Sequence, residues 1–109
     1  MTKTNLTILK PEGRLDAAGV RPLETELKEH LDAGRIYLIV DLSAVRYISS
    51  VGLRMFLTIT RKAHQLGGAL KLCAPTPRVM DVFKMAGFDR VLQILSTFED
   101  TERTFLKDT

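Results

Sequence analysis

Five apolar residues in a row, Ile36-Tyr37-Leu38-Ile39-Val40, are followed by Asp41 and flanked on both sides by helical periodicity. A strand that faces solvent on one side alternates apolar and polar residues. A run that is apolar on both faces is the mark of a central strand in a parallel sheet. Upstream, Val20, Leu23, Leu27 and Leu31 recur at three- and four-residue spacing, predicting a helix from about Val20 to Ala33 with Gly34 as its stop. Downstream, a second helix is expected from Ser50 or Val51 to Leu66, with Leu53, Phe56, Leu57, Thr60, Ala63 and Leu66 on its core face.

The rest of the chain continues the alternation. Leu6 to Lys10 reads as a strand, and Arg14-Leu15-Asp16 as a short extension or turn. Ala69 to Cys73 is a strand, and Thr76-Pro77 supplies an N-cap and an N1 proline for a helix that stops at Gly87. Val91 to Leu95 is a last short strand. Ser96 and Glu99 are spaced as a capping box for a final helix carrying Phe98, Phe105 and Leu106. Strand and helix alternate four times, which implies an α/β fold: a mainly parallel β-sheet with about four helices packed against it. In such sheets ligands and partners meet the carboxyl ends of the strands. Asp16, Asp41 and the Ser49-Ser50 loop fall at that edge in this reading.

At 109 residues the chain is expected to form a single domain, 1–109, too small for a deep two-domain cleft. The net charge of +3 is mild, and the basic residues are not interleaved with aromatics, so direct nucleic-acid binding has little support. No apolar run reaches the ~20 residues of a membrane span, and the N-terminus lacks a signal-peptide core. With Cys73 as the only cysteine, a reducing cytoplasm suits the chain. Cys73 ends an apolar strand and reads as a small core residue. His30 and His64 have no spaced metal-binding companions and are expected to be exposed. Neither a phosphate-cradling glycine loop nor a nucleophile–base–orienter set is visible, so no catalytic residue, metal or cofactor is expected and the chain does not read as an enzyme.

The serines carry the functional signal. They stand where a buried strand has ended and a helix begins, where free N–H groups and the positive dipole end favour an anion. A serine there is either an ordinary N-cap or a hydroxyl placed to carry a phosphate. Val51, Met55 and Ile59 recur every four residues as a second apolar stripe on the same helix. That stripe is either covered by a neighbouring helix or is a partner-binding surface, which Arg54 and Arg61-Lys62 would rim. Asp41 is expected to fasten the turn that follows it by accepting backbone N–H bonds.

Gly13-Arg14-Leu15-Asp16 resembles the G-x-L-D of the STAS family, the bacterial anti-sigma factor antagonists. Asp41-Leu42-Ser43-Ala44-Val45 through Ile48-Ser49-Ser50-Val51-Gly52-Leu53 is similar to that family's D-L-S-x-V followed by [ID]-S-x-G-L. The likeness runs on through Gly67-Gly68, Leu70-Lys71-Leu72, Pro77, Val79 and Gly87-Phe88, nearly the whole chain from about Leu6. It implies the STAS fold and a protein-binding regulator rather than an enzyme. The family's phosphorylated serine falls on Ser50, with Ser49 the alternative. The implied partners are an anti-sigma factor with serine kinase activity and a serine phosphatase. The implied partner surface comprises Asp16, Ser49, Ser50, Val51, Arg54, Met55 and Ile59, and the chain is expected to be a monomer or weak homodimer. Two departures stand out. Ser49 replaces the acid common before the target serine, and only Met1 to Asn5 precede Leu6, so the family's extra N-terminal strand is expected to be missing or shortened. These departures leave room for an alternative, a non-phosphorylated STAS scaffold subunit of a transport or signalling assembly. A small-molecule sensor is a third possibility.

Overall fold

The computed structural model describes residues 5–107. The expectation of a missing or shortened leading strand concerns Met1 to Asn5, of which residues 1–4 lie outside the described residues.

The elements run β1 (Thr7–Leu9), β2 (Gly13–Leu15), α1 (Ala17–Asp32), β3 (Tyr37–Asp41), β4 (Val45–Ile48), α2 (Ser50–Gln65), β5 (Ala69–Cys73), α3 (Pro77–Met85), a 3-10 turn (Phe88–Arg90), β6 (Gln93–Leu95) and α4 (Phe98–Lys107). Four strands form a sheet in the order β1-β3-β5-β6, and every pairing is parallel. The apolar run does sit centrally: β3 lies between β1 and β5. Its alternate residues serve two cores. Leu38 and Val40 join the large cluster built with α1, α2 and α3, while Ile39 joins Cys73 and Phe105 under α4. Both faces are covered, so both sets are apolar.

Beyond the main sheet the chain forms a parallel ribbon of β2 and β4 that the sequence reading lacked. The strands are three and four residues long. The register slips between Gly13 and Arg14, so β4 runs buried, exposed, exposed, buried and breaks the two-residue period that reveals a strand. Each ribbon strand follows a main-sheet strand after a short bend, and each feeds a helix: β2 leads into α1 and β4 into α2.

Helix limits follow local chemistry. α1 starts at Ala17 rather than Val20 because Asp16 caps it: its Oδ1 accepts from the Gly19 N–H at 3.0 Å. Gly34 and Gly67, at φ of 86° and 88°, follow the ends of α1 and α2 in the left-handed region that glycine enters freely. Thr76 caps α3 through the Val79 N–H, as expected from Thr76-Pro77. At α4 the cap is Thr97 rather than Ser96: its Oγ1 accepts from the Asp100 N–H at 3.1 Å. Lys71, on the α4 side of β5, is buried with its Nζ 4.3 Å from the centre of the Phe105 ring and donating to Thr104 Oγ1 at 2.8 Å.

Leu66, expected in the core, is 47% exposed, whereas Met55 (4%) and Ile59 (0%) are buried. α1 packs across α2, and both side chains join Val20, Leu23, Leu27 and Leu31 in one cluster. The second stripe is therefore core from Met55 onward, and Met55 and Ile59 leave the candidate partner surface.

Cys73 is a core residue: burial, then the Asp41 carboxylate, push its thiol up to about 11. We expect it to resist iodoacetamide at about pH 8 in the folded protein and to react once urea unfolds the chain. Equal alkylation with and without urea would contradict this burial.

Candidate functional site: the twin helix starts beside Ser50

β2 and β4 run parallel, so α1 and α2 begin side by side. The junction is knitted by Ser49. Its N–H donates to the Leu15 carbonyl at 3.0 Å, its Oγ donates to the same carbonyl at 3.2 Å, and that Oγ accepts from the Gly52 N–H at 3.4 Å. Ser49 is thus the N-cap of α2, with extended φ and ψ of −98° and 174°. Ser50 is the first helical residue and is exposed. The two serines divide the alternatives between them: Ser49 is tied into the fold, and Ser50 presents its hydroxyl to solvent.

Gly52 makes this approach possible. A Cβ there would lie 2.8 Å from Ile48 Cγ1 and 3.0 Å from the Leu15 carbonyl oxygen. Helix propensity alone would favour alanine. We nevertheless expect Gly52→Ala to destabilise the domain by about 1–3 kcal/mol, because a packed junction must shift. A thermal midpoint equal to or above that of the unchanged protein would show that Ile48 can yield.

Asp16 stands beside the serines through its neighbour Leu15. Its carboxylate accepts from the Gly19 N–H and from Arg14 Nε at 3.3 Å. The Gly19 bond first, then Arg14, hold its carboxyl below the usual carboxylate range. What it adds to stability is present above the ordinary carboxylate pKa and is lost as pH falls through the lowered value. Asp41 is elsewhere. It ends β3 with the whole of β4 between it and the serines, and its Oδ1 accepts from the Ser43 N–H at 2.9 Å, fastening the turn as expected.

Of the residues expected at the partner surface, the fold brings Asp16, Ser49, Ser50 and Val51 together at the two helix starts, with Arg54 exposed one turn along α2. Val51 is 39% exposed, enough to be covered by a partner. The Asp16 carboxylate sits at the start of α1, whereas α2 has a neutral serine cap and no acidic residue in its first turn, so its dipole end is not compensated by a side-chain carboxylate there. Sequence reasoning missed Arg14 and Tyr47, since the ribbon that pairs them was not visible. Among the described residues no group of three metal-ligating side chains assembles, and no helix is long and apolar enough to cross a membrane. His64 is exposed, whereas His30 is half-buried, its Nδ1 accepting from Arg35 Nε at 2.7 Å.

A STAS-domain family model matches residues 1–104. The chain belongs to the STAS family. A Bordetella bronchiseptica relative named as the anti-sigma factor antagonist BtrV is 33% identical over 94 residues, 86% of this chain and 81% of that protein. Among solved structures, an anti-sigma factor antagonist from Thermotoga maritima superposes with a TM-score of 0.86 at 23% identity, covering 92% of this chain and 86% of that one. The phosphorylated form of SpoIIAA, a Bacillus cell-fate determinant, superposes at 0.70 with 19% identity, covering 95% of each chain. At these identities the two superpositions establish the STAS fold.

Proposed function

We propose that this STAS protein is an anti-sigma factor antagonist switched by phosphorylation of Ser50. The whole chain, 1–109, acts as one binding domain in the cytoplasm. Its unphosphorylated form holds an anti-sigma factor that is also a serine kinase, and sigma-dependent transcription follows. The observation that carries this reading is the division between the serines: Ser49 supplies the cap and Ser50 is exposed at the first helical position. A kinase can reach Ser50 without unpicking the junction. Phosphorylating Ser49 would remove the hydroxyl proton it donates to Leu15. The name of the Bordetella relative supports the antagonist role, and SpoIIAA, which has been solved in a phosphorylated form, supports the switch.

In the transfer, the γ-phosphoryl group of ATP passes to Ser50 Oγ, the hydroxyl proton is lost and ADP departs. The chain itself supplies the acceptor oxygen and no catalytic group. The product carries about −1.5 to −2 charges at neutral pH, and the start of α2 stabilises it by about 0.3–1 kcal/mol. A serine phosphatase returns the chain to its binding state.

The test is a paired pull-down from native cells with Ser50→Ala and Ser50→Asp baits, combined with phosphosite mapping of the unaltered protein. Recovery of an ATP-binding anti-sigma factor by the alanine bait alone, with phosphate on Ser50, is the expected result. Recovery of one transport or scaffold protein by both baits, with no phosphate found, would replace the switch with a scaffold role.

A further inference from the structure

The slip in the ribbon has a consequence at the surface. Gly13 lies opposite Val45 and Arg14 opposite Tyr47, so Arg46 is the extra residue of a bulge. Both Arg46 and Tyr47 consequently face outward between buried Val45 and Ile48. Bulges re-aim side chains and are frequent beside functional sites. Across the ladder Arg14 holds its guanidinium 4.3 Å from the centre of the Tyr47 ring, while its Nε donates to Asp16 at 3.3 Å. The arginine is held from two sides, which makes a preformed platform for a planar acid. This platform adjoins Ser50. Tyr47 precedes it by three residues, and Arg14 leads to it through Asp16 and the Leu15–Ser49 bonds. Tyr47 is 38% and Val51 39% exposed, so exposed apolar side chains precede and follow Ser50 along the chain. Arg54 is exposed one turn beyond Ser50 on α2, and Arg14 and Arg46 are exposed on the ribbon whose β4 leads into that helix, with Asp16 as the carboxylate paired to Arg14.

We propose that the outward face of the β2–β4 ribbon, Arg14, Arg46 and Tyr47, continues the Ser50 surface as one docking face for an acidic protein segment. Asp and Glu side chains of the partner meet the three arginines, and an apolar side chain covers Tyr47 and Val51. The inference rests on the reading of the Ser50 region as a partner surface and names the chemistry of what binds there. Charge complementarity selects this occupant: the face carries three cationic groups against one carboxylate. A phosphate on Ser50, at about −1.5 to −2, cancels most of that excess, so release follows from the loss of attraction as well as from steric intrusion.

The experiment places a benzophenone amino acid at position 46, 51 or 90 of the full chain in native cells. Position 90 is exposed, ahead of β6 at the amino end of the sheet, and serves as the control. Positions 46 and 51 are expected to capture the same protein and position 90 to miss it. That protein, purified, should then bind about tenfold or more weakly to Arg46→Glu and to Tyr47→Ala, and as before to Arg90→Glu. Its affinity for the unaltered chain should fall as salt rises from about 0.05 M to about 0.3 M. Capture from 51 without capture from 46 would overturn the ribbon's part and leave the Ser50 reading standing. Undiminished binding by Arg46→Glu, or capture of a nucleic acid, would overturn the acidic-segment assignment. Capture from neither 46 nor 51 would overturn both.

Discussion

Ser50→Asp is expected to weaken binding to the anti-sigma factor by about 2–5 kcal/mol, roughly thirtyfold to several thousandfold, while Ser50→Ala binds as the unaltered protein does. The size comes from where the charge sits. Ser50 is exposed between Val51 and the ribbon, so a carboxylate there is harmless in the free protein and becomes desolvated when a partner covers it. The free protein should not be destabilised. A negative group at the first position of α2 meets the positive end of the helix, worth about 0.3–1 kcal/mol in its favour. Titration calorimetry and thermal unfolding of the two variants separate the effects. Affinity must fall for aspartate with its thermal midpoint unchanged or slightly raised. Equal affinities for the two variants would remove the switch, and a large drop in the aspartate midpoint would mean that the hydroxyl is structural.

Met55→Lys is expected to unfold the domain or bring it close to unfolding. Met55 is 4% exposed in the cluster that joins α1 to α2. Substitution removes buried thioether packing and leaves an ammonium without a partner, for which breaking a buried pair, at about 3–5 kcal/mol, sets the scale. A domain of ordinary stability has only about 5–15 kcal/mol in total. Circular dichroism in urea should show a much earlier midpoint, whereas Thr58→Lys, at an exposed position on the same helix, should leave it nearly unchanged. A normal midpoint for Met55→Lys would restore the second stripe to the surface.

That stripe marks where reading the chain reaches its end. Residues at 51, 55 and 59 share a helix face whatever covers them, and periodicity reports the face without its neighbour. α1 is the neighbour, and its crossing over α2 is a tertiary fact. The same holds for the serines. Their place between strand and helix was legible, and both roles, cap and exposed hydroxyl, were anticipated for a serine there. Which serine takes which role depends on the Leu15 carbonyl, 34 residues away in sequence, holding Ser49 in place.

Local chemistry decided most of the architecture. A run apolar on both faces required a central strand, glycines after periodic segments ended helices, and Thr76-Pro77 began one, because each of these depends on residues within a turn of one another. The ribbon of β2 and β4 was decided only by the fold. Its strands are short, its bulge destroys the alternation, and its pairing joins segments some thirty residues apart. It is nevertheless the ribbon that sets two helix starts side by side, brings Asp16 to Ser49 and turns Arg14, Arg46 and Tyr47 toward solvent. The sequence by itself determined the layers and the position of the phosphoacceptor candidate. The surface around that serine was determined by long-range pairing, which leaves no period in the chain to be read.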